Sequence, residues 1–86
     1  MSEMKVLYFA WLRKKTGTGQ ETIHPPAEIH TLGGLIDWLK TQSPGHADAL
    51  ADLSMVSFAV NQEYAEVEDP VKSGDEIALF PPVTGG

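Results

Sequence analysis

No cysteine occurs among the 86 residues, which removes disulfides, thiolate metal sites and a cysteine nucleophile together. Any sulfur chemistry must therefore use sulfur delivered from elsewhere. Basic residues are scarce: six Lys and Arg stand against twelve Asp and Glu, for a formal net charge of -6. A field of that sign repels phosphate backbones, so nucleic acid is not an expected partner. No apolar run approaches the roughly 20 residues that span a bilayer. The opening Met1-Ser2-Glu3-Met4-Lys5 has none of the basic-then-apolar build of a secretory signal. The expectation is a cytoplasmic chain without membrane contact.

The apolar fraction of 42% against 21% charged is ordinary for a folded protein, and a chain of this length holds one domain. Four of the six cations, Lys5, Arg13, Lys14 and Lys15, lie in the first fifteen residues, while Glu63, Glu66, Glu68, Asp69, Asp75 and Glu76 crowd the final third. Such a gradient reads as a solvated acidic face that can also orient a protein partner. His24, His30 and His46 are widely separated and have no thiolate companions, so no metal site is expected. The pairs Glu66/Glu68 and Asp75/Glu76 resemble charges at turns and sheet edges, and no side-chain active site is read from them.

Residues 4–10 are β-branched and aromatic and too short for an independent helix, which predicts a strand. One helical turn over residues 11–15 precedes Thr16-Gly17-Thr18-Gly19, and a second strand over 20–24 runs into Pro25-Pro26. Leu32, Leu35, Ile36 and Leu39 then recur at helical spacing behind Thr31, a natural N-cap. Gly33 and Gly34 weaken that first turn by about 1 kcal/mol each relative to alanine, so the helix is expected to start late or fray. Ser43-Pro44-Gly45 is read as its stop, with a shorter helix over 46–53. Strands follow over 55–61 and 63–67, joined by a turn at Asn61-Gln62, and after a turn over 69–75 a last strand runs over 76–80. Strand pairs flanking a single helical stretch suit an α+β layer, one mixed sheet with a helix packed across one face. The β-grasp (ubiquitin-like) arrangement places the first and last strands side by side and parallel.

After Phe80 the sequence reads Pro81-Pro82-Val83-Thr84-Gly85-Gly86. Proline cannot donate to a sheet ladder, so residues 1–80 are read as the domain and 81–86 as a flexible projecting tail. Two terminal glycines bring no Cβ beside the carboxylate, which lets such a tail enter a narrow channel. A carboxylate becomes an electrophile once its oxygen is joined to the α-phosphate of ATP, and a persulfide sulfur can then displace AMP to leave a thiocarboxylate. The chain supplies the handle and another protein the catalysis.

FPPVTGG preceded by VKSGDEIAL resembles the small, sulfur-carrier subunit of molybdopterin synthase. KVLYFAWLR with KKTGTGQETI, and AVNQEYAEVEDPVKSGDEIALFPPVTGG, are similar to the first and last thirds of that family, while residues 25–54 match only in pattern. The resemblance implies the β-grasp fold and two successive partners. A ubiquitin-activating-like adenylating enzyme would use ATP to activate and thiolate Gly86. The synthase large subunit, in an assembly of two small and two large subunits, would then receive the tail and pass the sulfur to cyclic pyranopterin monophosphate. No cofactor bound stably by this chain is implied. At Phe9, Tyr64 and Phe80 the family presents an apolar surface to its partners, and Pro81 and Pro82 would pre-extend the tail. Two other readings stand beside it: a carrier of the same chemistry serving thiamine synthesis or tRNA thiolation, and a ubiquitin-like interaction module with an incidental tail.

Overall fold

A computed structural model describes residues 3–82; the expected tail positions Val83, Thr84, Gly85 and Gly86 lie outside the described residues. The elements run Met4–Tyr8 (β1), Trp11–Thr16 (α1), Gln20–Ile23 (β2), Leu32–Leu39 (α2), Pro44–Ala49 (α3), a 3-10 turn at Leu53–Met55, Ser57–Val60 (β3), Glu63–Ala65 (β4) and Glu76–Phe80 (β5). They build one mixed sheet in the order β2-β1-β5-β3-β4. β1 pairs parallel with β5, Val6 opposite Ile77 and Tyr8 opposite Leu79. The other three pairings are antiparallel. This is the β-grasp fold expected from the element order.

Strand alternation divides the sheet into two faces. Met4, Val6, Tyr8, Ile23, Phe58, Ile77 and Leu79 point to one side and are buried against Leu32, Leu35, Ile36 and Leu39 of α2, with Leu12, Ala49 and Leu50 from the flanking helices. At ~25 cal/mol per Å² of apolar surface removed from water, this shared core is the main source of stability.

The helices depart from expectation at their starts, α2 for a distant cause and α3 for a local one. α2 does not fray at its glycines. Thr31 Oγ1 accepts from the Gly34 N–H at 3.1 Å, while the Leu32 and Gly33 N–H groups donate to Asp69 O at 2.9 Å and Val67 O at 2.8 Å. The helix-start donors that normally need capping are thus met by the loop before β5. Gly33 permits that approach, since a Cβ there would sit 3.1 Å from Val67 O. α3 begins earlier than expected, with Ser43 capping the His46 N–H and Pro44 in the first turn, so the tripeptide read as a stop also starts the next helix. It also ends earlier, at Ala49, and Leu53 falls in the 3-10 turn.

Two polar clusters lock the periphery. Glu21 Oε2 accepts from Tyr8 Oη at 2.5 Å and from His46 Nε2 at 2.7 Å, and Ser43 Oγ lies 2.7 Å from His46 Nδ1. Burial, then the hydrogen bond and charge of Glu21, push the Tyr8 phenol far above its ordinary pKa and keep it protonated. At the other end buried Asp75 accepts from Asn61 Nδ2 at 3.0 Å, from Lys72 N at 2.8 Å and from Lys72 Nζ at 2.8 Å. Asn61 and Gln62 both have positive φ, 52° and 69°, the geometry of a tight hairpin turn that follows strand twist.

Two outcomes follow from this packing. A Cβ at Gly45 would lie 2.2 Å from Lys15 O, backbone on which α3 packs. Gly45→Ala is expected to cost about 1–3 kcal/mol by overpacking, measured by urea denaturation. Burial alone raises the Asp75 pKa, but the bonds from Lys72 and Asn61 outweigh it and hold the carboxyl below its ordinary value. A depressed folded-state pKa adds stability above the unfolded value, roughly 4, and that contribution is lost as pH falls through the folded value. Asp75→Ala should therefore cost about 1–3 kcal/mol at pH ~7, and much less at a pH below the folded-state pKa. An equal cost at both ends of the titration would remove the charge from the account.

Candidate functional site

Among the described residues no helix packs on the second face of the sheet, the buried residues of the helices joining one core cluster with those of the first face. Along its middle row Leu7, Ala78, Ala59 and Tyr64 lie side by side on β1, β5, β3 and β4, and the next row pairs Phe80 with Ser57. Phe9, one residue past β1, continues the alternation to this side, its N–H donating to Leu79 O at 3.1 Å. Tyr64 is 75% exposed and Phe9 48% exposed, while Ala59, between them and the neighbouring strands, is 8% exposed. The Tyr64 and Phe80 rings approach at 6.0 Å between centroids, tilted by 56°. Small side chains thus form a shallow apolar floor with aromatic walls. Exposed apolar area of this kind marks a contact surface.

The turn after Phe9 is held at a conformational cost. Ala10 has φ 56° and ψ -130°, a region that costs a residue with a Cβ about 1–3 kcal/mol. The Phe9 and Ala10 carbonyls accept from Leu12 N and Arg13 N, each at 3.2 Å. The strain is thereby built into the start of α1, next to the aromatic wall.

The expected site residues fall in two groups. Phe9, Tyr64 and Phe80 come together at one end of the uncovered face, the end at which β5 gives way to Pro81 and Pro82. Val83, Thr84, Gly85 and Gly86 lie outside the described residues, so the expected carrier group has no geometry here. Sequence reading missed Leu7, Ala59 and Ala78. Ala59 and Ala78 alternate with core residues on their strands, but only the pairing of β3 with β5 aligns them into a flat floor.

Side-chain chemistry finds little footing elsewhere. Among the described residues no group of three or more His, Cys, Asp or Glu is placed to hold a metal, and no buried side-chain nitrogen or oxygen is without a partner. Both His46 ring nitrogens are engaged. Among the described residues no helix is long and apolar enough to cross a membrane.

Among known proteins, the ThiS family matches residues 6–86 of this chain. The chain is 42% identical over 89 residues to the molybdopterin synthase sulfur carrier subunit of Homo sapiens, covering 100% of this chain and 97% of that protein. Its fold superposes on SAMP1 from Haloferax volcanii with a TM-score of 0.79 at 27% identity, over 99% of this chain and 100% of the other. It also superposes on a chain of the protein-protein complex of subunits 1 and 2 of molybdopterin-converting factor from Helicobacter pylori, with a TM-score of 0.65 at 25% identity and coverage of 98% and 99%.

If the aromatic walls serve contact and not the core, truncating them leaves the fold intact. Phe9→Ser and Tyr64→Ser are expected to change stability by no more than about 0.5 kcal/mol, whereas Leu79→Ala should cost about 2–5 kcal/mol. Urea denaturation of the three variants compares them directly.

Proposed function

The chain belongs to the ThiS family, and from that premise we propose that it is the sulfur-carrier subunit of a molybdopterin synthase, loaded and emptied at the α-carboxylate of Gly86. The observation that carries this reading is full-length identity of 42% to a relative named for that role. The position of the apolar face supports it, because docking there brings the start of segment 81–86 to the edge of the partner.

The chemistry runs in two stages. A carboxylate oxygen of Gly86 attacks the α-phosphate of ATP held by an adenylating enzyme, releasing pyrophosphate and leaving an acyl-adenylate. The outer sulfur of a persulfide displaces AMP to give an acyl disulfide, and a second thiol attacks the donor's sulfur, forming a disulfide there and leaving a thiocarboxylate on Gly86. In the second stage the chain docks on the synthase large subunit, where the thiocarboxylate sulfur displaces an oxygen substituent from a carbon of the pyranopterin precursor, and water cleaves the resulting thioester, returning the carboxylate and leaving the sulfur on the precursor. Both stages draw on the same small terminus and are served by the same apolar face, with Phe9, Tyr64 and Phe80 as anchors. The partners supply catalysis in the cytoplasm, and two small subunits flank a large-subunit dimer. Pro81 and Pro82 restrict the backbone at the tail's root, lowering the entropy lost on insertion.

Intact-protein mass spectrometry after incubation with ATP, the cognate adenylating enzyme and a sulfur donor tests this reading. The expected result is a mass gain of one oxygen exchanged for sulfur, located at Gly86 by fragmentation. A chain extended by one residue beyond Gly86 should fold normally and show no exchange. Exchange elsewhere in the chain, or cofactor synthesis supported by the extended chain, would sink the proposal.

A further inference from the structure

Beside the root of the tail lies a groove that neither the core nor the sheet-face patch accounts for. The β3–β4 ladder ends at the pairing of Phe58 with Ala65. Where the two chains part, Leu53, Val56, Phe58, Ala65, Glu66 and Val67 enclose about 440 Å³. Tyr64 borders this groove as well as the sheet-face patch, and Ser57 on its wall is the residue paired with Phe80. The groove is therefore continuous with the proposed docking face and one strand away from the start of segment 81–86.

Charge indicates what would fill it. Residues 41–71, which contain every lining residue, include Asp48, Asp52, Glu63, Glu66, Glu68 and Asp69 but no Lys or Arg. Asp48 is paired with Lys15, and Asp69 Oδ2 accepts from the Glu66 N–H at 2.8 Å. Glu63, Glu66 and Glu68 are exposed and form no ion pair among the described residues. An apolar slot whose lining carries the one unpaired carboxylate of Glu66 favours an aliphatic group carried next to a cation and repels an acidic segment.

We propose that the synthase large subunit seats an aliphatic side chain in this groove, flanked by a Lys or Arg that pairs with Glu66. This rests on the carrier reading and adds a second point of contact to it. One patch with a tail leaves a partner able to rotate about the contact; a second anchor off the sheet plane removes that freedom. The groove thereby sets the angle at which segment 81–86 leaves toward the large subunit.

The test compares Glu66→Lys and the double variant Glu66→Lys/Val67→Lys with Tyr64→Ala, each against the purified cognate large subunit. Both groove side chains are exposed, and the Val67 contact with Gly33 is made by backbone, so thermal melts should match the parent protein. The expected result is that Glu66→Lys weakens binding about tenfold at low salt, a difference that narrows as salt rises, and that the double variant weakens it further. Amide resonances of residues 53–58 and 64–67 should also shift when unlabelled large subunit is added to the labelled parent chain, a readout independent of any substitution. Parental affinity in both groove variants, with those amides unmoved, overturns the groove while a loss in Tyr64→Ala leaves the carrier reading standing. No binding by the parent chain itself overturns both.

Discussion

The parallel pairing of β1 with β5 is the constraint on which the rest depends. Chain segments more than 60 residues apart can pair in parallel only if everything between them acts as a crossover, and here that crossover contains α2 and the hairpin. The pair is central, with β2 and β3 added on its two sides, so both strands have their backbone groups met on two sides. Direction also has a consequence at the surface. Parallel strands finish at the same edge, which brings Phe9 beside Phe80, and antiparallel β3 begins there at Ser57. The two walls of the apolar patch and the root of segment 81–86 are neighbours for that reason.

The same crossover explains why one face is bare. A single long helix is carried over the sheet, and its apolar stripe has width enough for one layer. The second face is left with Leu7 and two alanines, Ala59 and Ala78, in its centre, too little apolar volume for a second core. An uncovered apolar face is ordinarily an aggregation liability. Here its area is limited by alanine, and charged residues flank it. Glu76, opposite Lys5, and Glu66 beyond Tyr64 lie next to the apolar rows. A net charge of -6 opposes self-association while leaving the patch open to a partner of other composition.

Much of the fold was legible in order and period: the strand sequence, the helical spacing behind Thr31 and the turn at Asn61-Gln62 all follow from local pattern. What failed was mostly non-local. Gly33 and Gly34 look like helix breakers until Val67 and Asp69, more than thirty residues later, supply the carbonyls that their surroundings need. Ser43-Pro44-Gly45 is ambiguous by nature, since a serine before proline serves equally as the end of one helix and the cap of another. Asp75 reads as a turn acid, yet it is buried because Asn61 and Lys72 reach it. The cluster of Tyr8, Glu21 and His46 could not be seen at all, its members being up to 38 positions apart. Of the candidate site, the aromatic walls were legible through family resemblance, and the alanine floor was not, because alanine carries no signal until a sheet aligns it.

The energetics of the face divide into two parts that act at different times. Apolar contact over the patch is short-ranged and sets how long a partner stays, because water must leave before it contributes. Carboxylates around the patch and groove act over about a Debye length, ~8 Å at physiological salt, and influence how often an approaching surface arrives in the right orientation. On the proposed carrier function, with two partners met in succession, each encounter must be fast and neither permanent. A small apolar patch with charged residues at its margins meets both requirements, since it confines the dewetted area while leaving a field that guides approach. The strained turn at Ala10 fits the same logic: a wall held in place before binding costs stability once, in the folded monomer, and spares each encounter the entropy of ordering it.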